Sequence, residues 1–397
     1  MKLTKTDLPA KRLHNIRPSG IRRMMTLARQ MKDVVSLTSG DPDFETPEHI
    51  KEAAIESIKK GFTHYTPILG IEELREAITN KLSKENDIDV RADSEIMITS
   101  GAMGGIFAAT QAFINPGDMV LVADPDFPVY SECVKMAGGI PISLPREEHD
   151  SFSLNPDVLR KLVTSKTKMI IFSNPNNPTG SVMNKETLEE LAEVSKEKKL
   201  IVVSDEAYEK IVYDGYRHHS IASMPGMKSR TISIFSFSKT YAMTGWRIGY
   251  AAASKELIKA MNKISYCSVG CPQSTSQVAA LAALTGPQNC VKAMVKEYHR
   301  RRDLLLQNLS ALESFKILKP RGAFYLYPNI KHFHLDDNAF AEKLLYDAKV
   351  AVVPGRAFGA TGHGYIRISY SYSAQSLLEG IKRIKEYLNN ARTALRE

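Results

Sequence analysis

Cysteine, tryptophan and long apolar runs are scarce in this sequence, and each scarcity excludes something. Four cysteines in 397 residues, Cys133, Cys267, Cys271 and Cys290, are too few for a disulfide scaffold and fit a reducing compartment. Cys267 and Cys271 stand four apart, but no second Cys/His pair at zinc spacing lies nearby. No metal is expected, and these thiols read as buried structural groups. No apolar run approaches the roughly 20 residues a membrane span needs, and no secretory signal pattern opens the chain. The net charge of +9 comes from Lys and Arg spread along the whole length. That spread reads as a solvated basic surface, with no nucleic-acid face. The first 32 residues carry one acid, Asp7, as a transit peptide would. Against that, Ile21, Met24, Met25, Leu27 and Ala28 recur at helical spacing, and strand-like Val34–Thr38 follows at once, so the segment is expected to fold with the rest. The chain is expected to be cytoplasmic.

A hydrophobic content of 43% is ample for a large core and about two domains. Short apolar runs at Glu95–Thr99, Met119–Ala123, Met169–Ser173, Leu200–Ser204, Thr231–Phe235 and Ile248–Ala252 alternate with amphipathic stretches such as Leu154–Lys161 and Lys185–Lys198. That alternation predicts an α/β fold with a mostly parallel sheet covered by helices. Right-handed crossovers then place the strand ends on one rim, where ligands bind. Near residue 290 the pattern changes. A long helix over Val291–Leu312 is expected, then strands at Phe315–Lys319, Ala323–Tyr327, Ala351–Pro354 and Tyr365–Tyr370, and a helix near Ser373–Arg392. This predicts a large domain over 45–290 and a smaller α+β domain from 1–44 and 291–397.

Several of the predicted strands run into polar motifs. Ser100-Gly101-Ala102-Met103-Gly104-Gly105 would open a helix whose backbone N–H groups meet an anion. Asn174-Pro175-Asn176-Asn177-Pro178-Thr179-Gly180 is a rigid loop with amide donors. Asp205, followed by Tyr208, sets an acid and a phenol where a cofactor ring would lie, although an Asp there also serves as an ordinary helix cap. Lys239 follows Ser236 and Ser238 and precedes Arg247. A lysine at a strand end, among hydroxyls and near an arginine, suits a Schiff-base lysine beside a phosphate. The nearby cation is expected to lower its pKa.

Taken in order, these motifs resemble the class I and II aminotransferases, pyridoxal-phosphate enzymes of fold type I. The similarity runs from Ser39-Gly40-Asp41-Pro42-Asp43-Phe44, through Tyr65-Thr66-Pro67, to Tyr365-Ile366-Arg367-Ile368-Ser369-Tyr370. The resemblance implies pyridoxal 5'-phosphate as cofactor and transfer of an amino group from an L-amino acid to a 2-oxo acid, 2-oxoglutarate above all, with ping-pong kinetics. It makes Lys239 the Schiff-base lysine and proton carrier, Asp205 the partner of the pyridine nitrogen, and Tyr208 and Asn177 the partners of the ring oxygen. Phe127 would stack on the ring. Ala102, Met103, Ser236 and Arg247 would hold the phosphate, joined by Tyr65 from the neighbouring subunit of a homodimer. Arg367 would clamp the substrate α-carboxylate, with Gly40 and Asn177 beside it.

Substrate choice follows from departures within the family. Dicarboxylate-preferring members often carry an arginine after the cofactor lysine, yet Ile264–Val291 holds no Arg, Lys, Asp or Glu. Another branch has a lysine where this chain has Met103. Aromatic or broad-range substrates are therefore expected. Aspartate is the alternative, with Arg17, Arg22 or Arg23 supplying the missing charge. A β-lyase-type, decarboxylating or cyclopropane-forming reaction on the same scaffold is a further alternative. A cofactor-binding transcriptional regulator would need a helix-turn-helix domain ahead of Ser39, for which there is no room.

Overall fold

The computed structural model describes residues 9–310 and 315–394. Seven strands form the central sheet: β1 Ile96–Thr99, β2 Met119–Asp124, β3 Ile140–Pro145, β4 Thr167–Ser173, β5 Ile201–Asp205, β6 Thr231–Ser236 and β7 Gly249–Ala252. Their order is β1-β7-β6-β5-β4-β2-β3. Neighbours run parallel except around β7, which is antiparallel to both β1 and β6. The mostly parallel sheet is as expected, and six of its strands are the runs read from the sequence. The seventh, β3, has no clear apolar signal, because it carries Pro141 and Pro145 and lies at the edge, where a missing N–H donor is tolerated.

The inner strands read as unbroken apolar runs because both faces are covered. Val120, Ile171 and Val203 pack under the helices Gly101–Phe113 and Lys255–Ser268, while Leu121, Ile170 and Val202 pack under Lys185–Glu197 on the other face. Cutting one such side chain to alanine costs about 2–5 kcal/mol. Two helices of that second face, Pro156–Leu162 and Lys185–Glu197, start at asparagine caps. Asn155 Oδ1 accepts from Asp157 N at 2.9 Å ahead of Pro156, and Asn184 Oδ1 accepts from Thr187 N at 2.9 Å.

The C-terminal part is built from shorter pieces. Ile366–Ser369 pairs antiparallel with Val353–Pro354 on one side and Tyr325–Leu326 on the other. Val35–Ser36 pairs with Val350–Ala351, which joins the N-terminal segment to this part. Helices Gly20–Arg29, Asn289–Ser310, Asp337–Tyr346 and Ala374–Ala394 surround these strands. Two expected strands are corrected. Phe315–Lys319 is not a strand and makes a single bridge, Lys316 to Asn329. Ala351–Pro354 is split between two sheets. The expected helix end at Leu312 lies outside the described residues. Cys267 is exposed, which corrects its reading as a buried thiol. Among the described residues no helix is long and apolar enough to cross a membrane.

The cores of the two parts meet behind one rim. Tyr208, Ile211 and Tyr213, just past β5, pack with Phe324, Leu326 and Ile368 of the C-terminal part. Along that rim lie Ser173, Asp205 and Ser236, the last residues of β4, β5 and β6, with Ser173 and Asp205 in register.

Candidate active site

A cavity of about 350 Å³ opens on this rim. It is lined by Gly40, Ala102, Met103, Phe127, Asn177, Asp205, Tyr208, Ser236, Lys239, Arg247 and Arg367, so eleven of the twelve residues singled out from the sequence come together. A larger hollow of about 500 Å³, between Arg17–Gly20 and the 356–360 loop, shares only Phe127 with it and contains neither Lys239 nor Arg367.

Lys239 stands on a short helical turn, Phe237–Thr240, that follows β6 directly. Its Nζ donates to the Gly40 carbonyl oxygen at 2.5 Å. Burial pulls the amine down to about 8, Asp41 works against that fall, and Arg247 and Arg367 add to it. The cationic surroundings expected from the sequence are present, but loss of solvent has the larger effect.

Asp205 faces the lysine's cavity from the end of β5. Its Oδ2 accepts from Tyr130 Oη at 2.8 Å and its Oδ1 from Ala207 N at 3.1 Å. Burial raises the carboxyl to about 6 in spite of these donors. Tyr208 Oη is 2.7 Å from Tyr325 Oη. Phe127 lies edge-on to Tyr130, ring centroids 5.7 Å apart.

One end of the cavity is made mainly of backbone. The helix Gly101–Phe113 has no side-chain cap, which leaves its first N–H groups for another acceptor. Gly101 has φ +68°, and a Cβ there would stand 2.7 Å from Arg247 Nη2, so only glycine lets the guanidinium settle over the helix start. Arg247 itself has φ +52° and donates from Nη1 to Thr244 O at 3.0 Å. Ser236 Oγ accepts from Ser238 N at 3.2 Å.

The opposite end is made of side chains. Arg367 is 2% exposed. Its Nη1 donates to Asn177 Oδ1 at 2.8 Å and its Nη2 to Thr38 O, while its Nε is buried without a partner. The guanidinium lies 4.3 Å from the Tyr325 ring centroid and 4.7 Å from that of Phe358. Gly40 sits here because a Cβ would collide with Tyr325 Oη, 2.0 Å away.

The twelfth residue, Tyr65, is 96% exposed and lies outside the cavity. Sequence reasoning missed Tyr130, Tyr325 and Phe358. Tyr130 had a weak signal, four residues after Asp126 at the start of a helix. Tyr325 and Phe358 arrive from the short-stranded part, where no motif marked them. Arg23 is held by Glu342 at 2.5 Å, and it is Ile21 of the same helix that lines the cavity.

Residues 32–384 match the family described as aminotransferase class I and II. An aspartate aminotransferase of Pyrococcus abyssi is 46% identical over 379 residues, 95% of this chain and 97% of that one. An aromatic-amino-acid aminotransferase of Thermococcus litoralis is 44% identical over 379 residues, 95% of this chain and 97% of its own. The crystal structure of an aromatic aminotransferase from Pyrococcus horikoshii superimposes with a TM-score of 0.89 at 44% identity, covering 93% of this chain and 99% of that one. By that family match and those identities this chain belongs to the class I and II aminotransferases, enzymes that move an amino group between amino acids and 2-oxo acids.

Proposed function

We propose that the cavity holds pyridoxal 5'-phosphate on Lys239 and passes the amino group of an aromatic or other apolar L-amino acid to a 2-oxo acid such as 2-oxoglutarate, within a homodimer. The observation that carries this reading is the spacing of charge in one cavity: an anion cradle at Gly101 and Arg247, a lowered amine at Lys239, a buried acid at Asp205, and Arg367 with an unpartnered Nε. The glycine cradle, which a Cβ would fill, fits a phosphate. The buried Asp205 fits a ring nitrogen that must stay protonated, since a carboxylate out of water gains most from a cationic partner.

When bound, the cofactor supplies a carbonyl carbon that takes the amino group and a protonated ring that accepts the electrons left when Cα loses its proton. The chain's own residues do the rest. Arg367 fixes the substrate α-carboxylate through its planar fork, with Asn177 orienting the guanidinium. Lys239 Nζ, poised near 8, would take the Cα proton as general base and return it to the cofactor carbon that carries the amino group. Asp205, held by Tyr130, would keep the ring nitrogen protonated. Tyr208 and Asn177 would bond the ring oxygen, and Phe127 would cover a ring face. Tyr65, almost wholly exposed here, would reach the phosphate of a second subunit.

Of the lining cations, Lys239, Arg247 and Arg367 each have a role, and none is left for a second carboxylate. Ile21, Met103, Ile106 and Tyr325 also line the wall and suit an apolar side chain, and Asp41, the other lining acid besides Asp205, would repel a second carboxylate. Aspartate is the second reading, favoured by the name of the 46%-identical relative.

The test is to mix cofactor-loaded protein with single amino acids and 2-oxoglutarate and measure glutamate formed, with Lys239→Ala alongside. Phenylalanine or tyrosine is expected to outrun aspartate, and the variant to form none. Strong aspartate turnover beside weak aromatic turnover would replace the substrate reading. No glutamate from any amino acid would replace the reaction.

A further inference from the structure

Asp126 and Arg146 form a fully buried ion pair next to the cavity, and nothing in the chemistry above uses it. Each is 1% exposed. Arg146 Nη2 meets Asp126 Oδ2 at 3.3 Å and also donates to Ser173 O at 2.9 Å, while Nη1 donates to Phe152 O at 3.0 Å. A buried pair is poor evidence of stabilisation, because desolvation offsets most of the attraction, so its arrangement calls for another explanation.

The arrangement is a node. Asp126 Oδ1 accepts from Phe127 N at 2.8 Å and from Ser173 Oγ at 2.5 Å, and Oδ2 accepts from Ser173 N at 3.0 Å. Ser173 Oγ in turn accepts from Asn177 N at 3.3 Å and from Asn176 Nδ2 at 3.1 Å. Asn177 Oδ1 accepts from Arg367. On the other side, Asp126 N donates to Phe358 O at 2.9 Å, and the Phe358 ring lies against the Arg367 guanidinium. One route therefore runs from the Asp126 carboxylate through Ser173 and Asn177 to Arg367, a second runs from the Asp126 backbone N–H through Phe358, and the carboxylate also holds the backbone of Phe127.

We propose that the Asp126–Arg146 pair, acting through Ser173, positions Phe127 and the Asn177–Arg367 carboxylate clamp together, so that ring face and substrate arm keep a fixed separation. Arg146 aims the Asp126 carboxyl group, and Ser173 passes its orientation to the loop that carries Asn177. Asp126, Arg146 and Ser173 are positioning residues. They act through Phe127, Asn177 and Arg367 without taking part in proton transfer.

The proposal rests on the assignment of this cavity as the aminotransferase site, and the test separates the two. Holoenzyme with Ser173→Ala, Asp126→Asn and Arg146→Lys is compared with wild type for KM, kcat, melting temperature and the absorbance spectrum of the bound cofactor. Ser173→Ala removes the hydroxyl joint and leaves the ion pair intact. It is expected to raise KM for the amino acid about 10-fold with kcat near wild type, because one buried hydrogen bond that fixes a ground-state contact is lost. Asp126→Asn is expected to raise KM further and to shift the cofactor spectrum through Phe127, and Arg146→Lys to fall between it and wild type. Wild-type KM, kcat and spectrum in Ser173→Ala and in every folded variant, whatever the melting temperatures, would overturn the proposal and leave the pair a structural one. If Asp126→Asn does not fold, Ser173→Ala decides. Failure of the site assignment would show differently, as no amino-acid turnover by wild type itself.

Discussion

The two ends of the cavity each use an arginine, and they use it in opposite ways. Arg247 is exposed, sits at positive φ, and donates a hydrogen bond within its own loop to Thr244 O, above a helix start that only a glycine leaves open. Arg367 is 2% exposed, wedged between two aromatic rings, and fixed by Asn177 and Thr38 from distant parts of the chain. The first end suits a ligand that stays, since many backbone donors share its charge. The second suits a carboxylate that enters and leaves each cycle, since a desolvated guanidinium binds strongly and only in one geometry. Residue type alone does not tell these roles apart; the surroundings do.

The same substitution at both ends should break this symmetry. Arg367→Lys removes a planar fork from a buried site and is expected to lower kcat/KM by about 100- to 1000-fold while cofactor content stays near wild type, read by steady-state kinetics and cofactor absorbance. Asp205, between the two ends, should reveal the cost of burial. Its folded pKa of about 6 lies above the unfolded value of 3.8, so in the cofactor-free protein ionised Asp205 costs stability. That cost is absent below about pH 4, grows as pH rises, and is complete above about 6, reaching roughly 3 kcal/mol. Asp205→Asn is expected to abolish turnover yet raise the melting temperature of the cofactor-free chain at pH 7.5, with the gain fading by pH 4; denaturation curves at the two pH values decide it. Arg247→Lys is expected to weaken cofactor retention by only about 10-fold, measured by dialysis, because backbone N–H groups share the anion. A larger loss at Arg247 than at Arg367 would reverse the comparison. The smallest effect concerns Lys239. The free amine is the reactive form, so cofactor uptake by the cofactor-free protein should accelerate as pH rises through about 8 and level off above it, followed by absorbance.

The same contrast explains what the sequence revealed. The exposed end is local: Gly101, Ala102, Met103, Ser236 and Arg247 fall in two short stretches at strand ends, and strands that are buried on both faces are easy to read. Lys239 and Asp205 are legible for the same reason. The buried end is assembled from residues 38, 177, 325, 358 and 367, carried by strands of two to four residues and by loops that leave no periodic trace. Arg367 is legible through the family resemblance of the Tyr365–Tyr370 motif, while its partners Tyr325 and Phe358 belong to no such motif. Pro141 and Pro145 hid the edge strand, and Phe315–Lys319 looked like a strand because Phe315 is apolar for a different reason, packing against Phe333 and Phe340.

The central claim is that Lys239 is the group that holds the cofactor. It is tested most directly by treating the loaded enzyme with borohydride, digesting it, and locating the fixed cofactor mass by peptide sequencing. The account predicts that the mass lies on Lys239 alone, in the peptide between Arg230 and Arg247. The mass on any other lysine, or on none, would contradict it.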